Sequence, residues 1–381
     1  MSTLRIFAAV GLPLVAGLAV LAGPAPLSPP AQAQDDPGVR VYMPLVLKRQ
    51  ARPFAAPPTV VPGTATDAPT ATPNATNTRT PIPTPSNTPE PTATPTPDEP
   101  EWLRYVNHHR SLALLPPVTE NEVWSHGDGL HAKYMVMNDY IGHDETASKP
   151  YYTAEGKAAA QNGNVAGTSQ ADMPPTYPID MWMTGPFHML GIINPQLLSS
   201  GFGDFSQAAP FADGGGPQQF NVQYAATLDV LRGTGPLPAG VKFPVRYPDE
   251  GQAIPNLAYE GGESPDPLAA CPGYSEPTGP PLALTLGGNA APKVTKTSFK
   301  NAAGTELPHC WFDEVKFKTP AVAQSILARH HSIIVMPKSP LSADAQYTLS
   351  ITSGGTVHTW RFRGGAERRP SGQAAADRWM H

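Results

Sequence analysis

Cys271 and Cys310 are the only thiols in the 381 residues. An even pair predicts one disulfide if the chain is exported, with two buried free thiols as the alternative. Two cysteines are too few for a Cys-based zinc knuckle or a disulfide-dense scaffold. The chain lacks Gly-x-Ser-x-Gly, His-Glu-x-x-His, a Walker loop and Cys-x-x-Cys. A serine nucleophile, Ser125 or Ser169, would therefore have to be assembled in space. His131 lies on the flank of a helical stripe and reads as a satisfied core histidine. His330-His331 reads as a solvated loop pair.

Composition limits what these residues serve. Proline accounts for 48 positions and glycine for 34, while charged residues make up only 15 %. Hydrophobic residues reach 40 %, enough for a core. The net charge of −5 leaves no basic excess for tracking phosphates, which excludes general nucleic-acid binding. Residues 1–33 read as a signal peptide: Arg5, an uncharged apolar run from Ile6 to Gly23, then Ala31-Gln32-Ala33 as the cleavage site. Pro13, Pro24 and Pro26 interrupt the run, so it is too short for a transmembrane helix. No other segment reads as a span, and the mature protein is expected to be secreted or at the cell surface.

Residues 34–100 read as a stalk or linker. Val39 to Lys48 is a small apolar island, either a stray strand or a docking segment. Residues 51–100 hold 14 Pro and 13 Thr, a composition that cannot offset its ordering entropy by burial. Such a tract favours extended polyproline geometry at about 3.1 Å per residue and suits O-glycosylation, with an unmodified linker as the alternative.

Globular composition starts at Glu101. Trp102, Val106, His109 and Ala113 recur at helical spacing, ended by Pro116-Pro117. Thr119 with Glu122 fits a capping box for a second helix reaching Asn138. Further helices are expected over Thr153–Gln161 and Ile179–Ile193, then strands over Gly201–Phe205 and Gln219–Leu231. Helices followed by strands predict an α+β domain over 101–235.

This stretch carries a resemblance. Asn107 to Pro117 (NHHRSLALLPP), Gly142-His143, Gly163-Asn164-Val165-Ala166, Trp182-Met183-Thr184-Gly185-Pro186-Phe187-His188, Ile193-Asn194-Pro195 with Gly201-Phe202-Gly203, and Phe220-Asn221-Val222-Gln223 fall in the order of the CAP superfamily motifs. That superfamily comprises the cysteine-rich secretory, antigen 5 and pathogenesis-related 1 proteins and the bacterial SCP-like domains. The resemblance implies an α-β-α sandwich with a cleft lined by two His and two Glu. His143 and His188 match the two histidines. Gly163 and Gly185 stand where the carboxylates would be, with Glu145, Glu155 and Asp180 the nearest acidic replacements. The implied ligand cleft holds His143, Asn164, Trp182 and His188. With carboxylates in place, His143 and His188 could bind Zn²⁺. Met181, Met183 and Met189 around Trp182 are core fillers or the lining of a lipid groove.

Residues 241–365 show about seven short strand-like runs with Gly/Pro turns, which suggests a β-sandwich. Tyr347, Leu349 and Ile351 alternate with Thr348, Ser350 and Thr352, and Ser353-Gly354-Gly355 is a hairpin turn. The closing run resembles bacterial Ig-like domains. Residues 366–381 read as a disordered tail. Three functions follow. The first is an exported protein that binds a lipid or sterol-like ligand, a metal ion or a cell-envelope component through the two-His cleft. The second is a metal-assisted hydrolase of peptides or esters, with His143 and His188 on the metal and Glu145 or Glu155 as base. The third is a structural adhesion module with an inert cleft.

Overall fold

The computed structural model describes residues 45–48, 99–208 and 221–366. The signal-peptide reading, the Pro/Thr tract up to residue 98 and the tail from 367 lie outside the described residues. All described residues fall in one compact unit, Val41–His381.

The first half contains β1 (Leu45–Lys48), α1 (Glu101–Ser111), β2 (Thr119–Glu120), α2 (Glu122–Met137), α3 (Ala154–Asn162), β3 (Gly163–Thr168), α4 (Thr176–Thr184), α5 (Pro186–Ile192), β4 (Ser199–Ser200), β5 (Phe202–Ser206) and β6 (Tyr224–Asp229). The second contains β7 (Val245–Tyr247), β8 (Ala253–Ile254), β9 (Glu263–Ser264), β10 (Leu282–Thr285), β11 (Val294–Asn301), β12 (His309–Phe312), α6 (Ala321–His330), β13 (Ser332–Pro337), β14 (Gln346–Ser353) and β15 (Thr356–Gly364). The class is mixed α+β.

Local chemistry sets the helix ends. Asn121, not Thr119, caps α2: its side chain accepts from the amides of Val123 and Trp124, while Thr119 lies in β2. Thr153 caps α3 by accepting from the amide of Gly156. The single helix expected over 179–193 is two, broken at Gly185, whose ψ of 119° is extended; Pro186 then opens α5 at the position where a missing N–H costs nothing.

One sheet runs β5-β6-β3-β1-β9. The apolar island therefore contributes an interior strand, parallel to β3 and antiparallel to β9. Two four-stranded sheets, β12-β13-β10-β7 and β11-β14-β15-β8, build the second half. Tyr347, Leu349 and Ile351 are buried as the alternation predicts. Gly354 and Gly355 make the two-residue turn between β14 and β15 at φ of 58° and 82°, a conformation that favours glycine. Helix α6 interrupts the run of strands and was not anticipated. It buries His330, whose pKa burial lowers to about 4, and sets His331 at its C-cap, 3.0 Å from Glu314. The pair is thus split between the core and a hydrogen bond to Glu314, not a solvated loop.

The halves share one hydrophobic cluster, from Trp102 and Phe187 to Phe312 and Trp360. Phe187 of α5 meets Phe317 edge-on at 5.3 Å between ring centroids. His109 Nδ1 lies 2.8 Å from the Tyr247 hydroxyl, and the Asp249 amide donates to Leu112 O. Arg110 is fully buried in the first half and donates to four carbonyls, those of Pro116, Ile192, Asn194 and Leu197. Burial lowers its pKa only to about 10, so it stays cationic at neutral pH.

Cys271 and Cys310 are joined, with Cα atoms 5.5 Å apart and 39 positions apart in sequence. Disulfides of this kind persist in oxidising compartments. Closing that loop constrains the unfolded chain by about 4 kcal/mol. Replacing both cysteines by serine is expected to lower unfolding free energy by up to about that amount. Urea denaturation of the oxidised parent and the variant checks it.

Candidate functional site

Every residue of α5 is buried, so neither helix end reaches water. At its N-terminus Glu263 of β9 supplies the acceptor. One carboxylate oxygen, Oε1, accepts from the amides of Phe187 at 2.9 Å and His188 at 3.1 Å, and lies 2.9 Å from His188 Nδ1. Gly185 makes room: a Cβ there would come within 2.7 Å of that oxygen. Burial pushes the Glu263 carboxyl well above the usual carboxylate range, while the two amides oppose that shift. Asn164 of β3 donates from Nδ2 to His188 O at 3.1 Å. Asn164 Oδ1 and Glu263 Oε2 are buried and have no hydrogen-bond partner in the described structure.

His143 sits on the loop after α2, 9 % exposed, with Nδ1 3.1 Å from Ala160 O. A carbonyl only accepts, so Nδ1 carries the proton and the basic lone pair of the neutral ring is on Nε2. Asp144 beside it pairs with Lys157 at 2.9 Å, which pins the loop to α3; burial raises the Asp144 carboxyl, but Lys157 together with hydrogen bonds from the Glu145 amide and Gln161 outweighs it and holds the group below its ordinary value.

The acidic candidates serve other partners. Glu145 is fully buried, 3.0 Å from His131 Nδ1, and its second oxygen accepts from the Thr153 amide. His131 Nε2 faces Gly142 O at 2.9 Å, so this pair ties α2 to the loop that carries His143. Glu155 lies exposed on α3. Asp180 accepts from the Tyr105 hydroxyl, and its backbone carbonyl accepts from Asn256. Ser125 donates to Glu120 and accepts from the Phe202 amide, a structural role. Trp182 is fully buried, its indole donating to Val165 O, and belongs to the core.

Among the described residues no group of three or more His, Cys, Asp or Glu side chains is arranged to hold a metal ion. A cavity of about 530 Å³ opens in the second half beside Asn301, Leu307, Pro340 and Gln346, and none of the sequence-predicted cleft residues lines it. Sequence reasoning missed His131 as the partner of Glu145 and missed Glu263 altogether. Glu263 has no recognised motif around it and stands 75 positions from His188 in sequence.

A further buried acidic group lies on α2 itself. Asp128 is fully buried with neither carboxylate oxygen hydrogen-bonded in the described structure. A Cβ on Gly201 would come within 2.6 Å of its Oδ2. Burial, and then Asp229, push the Asp128 carboxyl well above its ordinary value, against the pull of Arg232. Asp229 is also raised by burial, although Arg232 opposes this from the next turn.

No protein-family model matches the chain, and no curated protein matches it with significance.

A raised carboxyl pKa in the folded state makes folding take up a proton. Its contribution is therefore greatest below the ordinary value of 3.8 and is lost as pH rises towards the folded value. Asp128→Asn removes this titration. The variant is expected to match the parent near pH 3, to exceed it in stability at pH 7, and to flatten the intervening slope by up to about 1.4 kcal/mol per pH unit. Urea titrations across that range check it.

Proposed function

We propose that this chain is an exported, non-enzymatic binding module of CAP type whose two-His cleft is part of the scaffold, and that it engages a cell-envelope component through its outer surface. One observation carries the reading: His188, the second cleft histidine, is fully buried with Glu263 of the second half on its ring and backbone. In the resemblance, a carboxylate belongs near Gly185; here that space is taken by Glu263. The carboxylate then serves to fix the helix and the imidazole and to join the halves. An Ig-like second half, fused to the first through a common core, fits a rigid display module better than a hinged enzyme. The Cys271–Cys310 disulfide and the signal-peptide sequence support an extracytoplasmic location.

Hydrolysis is the weaker reading because Glu145 is committed to His131 and Thr153, and Glu155 faces solvent. Ligand or cation uptake at the cleft is favoured by one specific observation, the two buried acceptors without partners, Asn164 Oδ1 and Glu263 Oε2.

The test pairs the parent with a His143→Gln/His188→Gln variant that retains the parent's near-ultraviolet circular dichroism. The expected result is no stoichiometric metal or extracted lipid in either protein, no hydrolysis of peptide or ester substrates, and equal binding to isolated cell envelopes. Stoichiometric metal or lipid in the parent that the variant loses would refute the scaffold reading.

A further inference from the structure

Strand β1 stands apart from the rest of its sheet. The other four strands come from residues 163–264, whereas β1 comes from Leu45–Lys48. It is nonetheless an interior strand. Its four residues pair with Val165, Ala166, Gly167 and Thr168 of β3, and its first two pair with Ser264 and Glu263 of β9. In the sheet order β3 and β9 are neighbours of β1 and not of each other. The backbone that carries Glu263 is thus joined to the sheet through Val46, and Glu263 is the residue whose carboxylate holds α5 and His188.

We propose that the slot between β3 and β9 is a strand-acceptor site, that its occupant is the chain's own Leu45–Lys48 segment, and that docking of this strand seats Glu263 on His188. The proposal stands whether the cleft is scaffold or ligand site, because it concerns how Glu263 is held. Residues 49 to 100 separate β1 from α1. At about 3.1 Å per residue in extended proline-rich chain, such a connection reaches on the order of 160 Å. Covalent continuity therefore does not fix the strand in place; the backbone pairing does. A four-residue strand would bind weakly as a free peptide, but a tether of this length supplies an effective concentration near the millimolar range, which favours docking within one chain. Main-chain pairing of this kind is how sheets accept extended segments.

One consequence alters the sequence reading of the Pro/Thr tract. The tract starts at β1 and ends at α1, so with β1 docked both its ends lie on the same body. It separates that body from an N-terminal attachment only when β1 leaves the slot.

The test cuts the tether in the full-length mature protein by way of a protease site inserted after Asn77. The expected result is that, once cut, the N-terminal fragment stays with the body at near-millimolar protein concentration and leaves it on dilution, because the cut removes the tether's effective concentration. Excess synthetic peptide of sequence Val39–Lys48 then displaces it, and the same peptide with Val46→Pro does not, because proline lacks the N–H that pairs. Washing the fragment from immobilised body without added peptide should lower hydrogen-exchange protection of the Phe187 and His188 amides by at least about tenfold, while amides of β14 and β15 keep theirs. Phe187 and His188 amides that stay protected once the fragment is gone, or a fragment that the Val46→Pro peptide displaces as well as the parent peptide does, would overturn the proposal. A parent that is dimeric before cleavage and monomeric after it would overturn the assignment to the chain's own strand in favour of a second copy. The uncut Val46→Pro chain is the independent variant: it should lose protection at Phe187 and His188 and keep it in β14 and β15.

Discussion

A seven-residue helix with no exposed residue must have its end groups satisfied by the protein itself. Water cannot reach the free amides at the start of α5 or the free carbonyls at its end. The sequence meets this constraint with two distant charged side chains. Glu263 takes the Phe187 and His188 amides, and Arg110 donates to Ile192 O, Asn194 O and Leu197 O just past the other end. The guanidinium at the carboxyl end also matches the helix dipole. Much follows from this arrangement. Position 185 must be small, because a Cβ would collide with the carboxylate. The second half must dock where β9 can deliver Glu263. His188 becomes part of that lock through Nδ1 and is drawn out of solvent.

The same principle explains the other buried polar side chains and sets Asp128 apart. Glu145 and His131 bury each other and fasten the His143 loop. Arg110 stays cationic because four carbonyls replace its water. Asp128 lacks such partners, with Asp229 nearby adding repulsion, and burial pushes it towards the neutral acid. A buried pair that loses one member leaves a desolvated charge behind, which costs far more than the pair contributes. The loop after α2 and the start of α5 are thus each held by a buried pair, and Phe187 packed on Phe317 adds to the join between halves.

How much of this was legible beforehand depended on whether the signal was local. The alternation of Tyr347, Leu349 and Ile351 and the Gly354-Gly355 turn are written in neighbouring residues, the cysteine pair follows from there being only two, and each appears as expected. Helix α6 escaped because Ala321–His330 follows a long run of strand-like segments and carries no side-chain cap at Pro320. The partners of the candidate histidines escaped because pairing across 75 residues leaves no periodic trace. Two of the motif residues expected to line a cleft, Asn164 and Trp182, are instead fully buried, one bonded to the His188 carbonyl and the other to that of Val165. The strand at Leu45–Lys48 was visible only as an apolar island, since strand partners are chosen by the sheet and not by the strand.

The central claim is that His188 is a locked structural imidazole, not an open cleft ligand. Long-range ¹H–¹⁵N spectra of the histidine rings in the full chain test it directly, with a Glu263→Ala chain to assign the signal. A slowly exchanging, downfield Nδ1 proton on His188 that disappears in the variant is the predicted result. A His188 ring whose protons exchange rapidly with water, and whose spectrum ignores the loss of Glu263, would contradict the account.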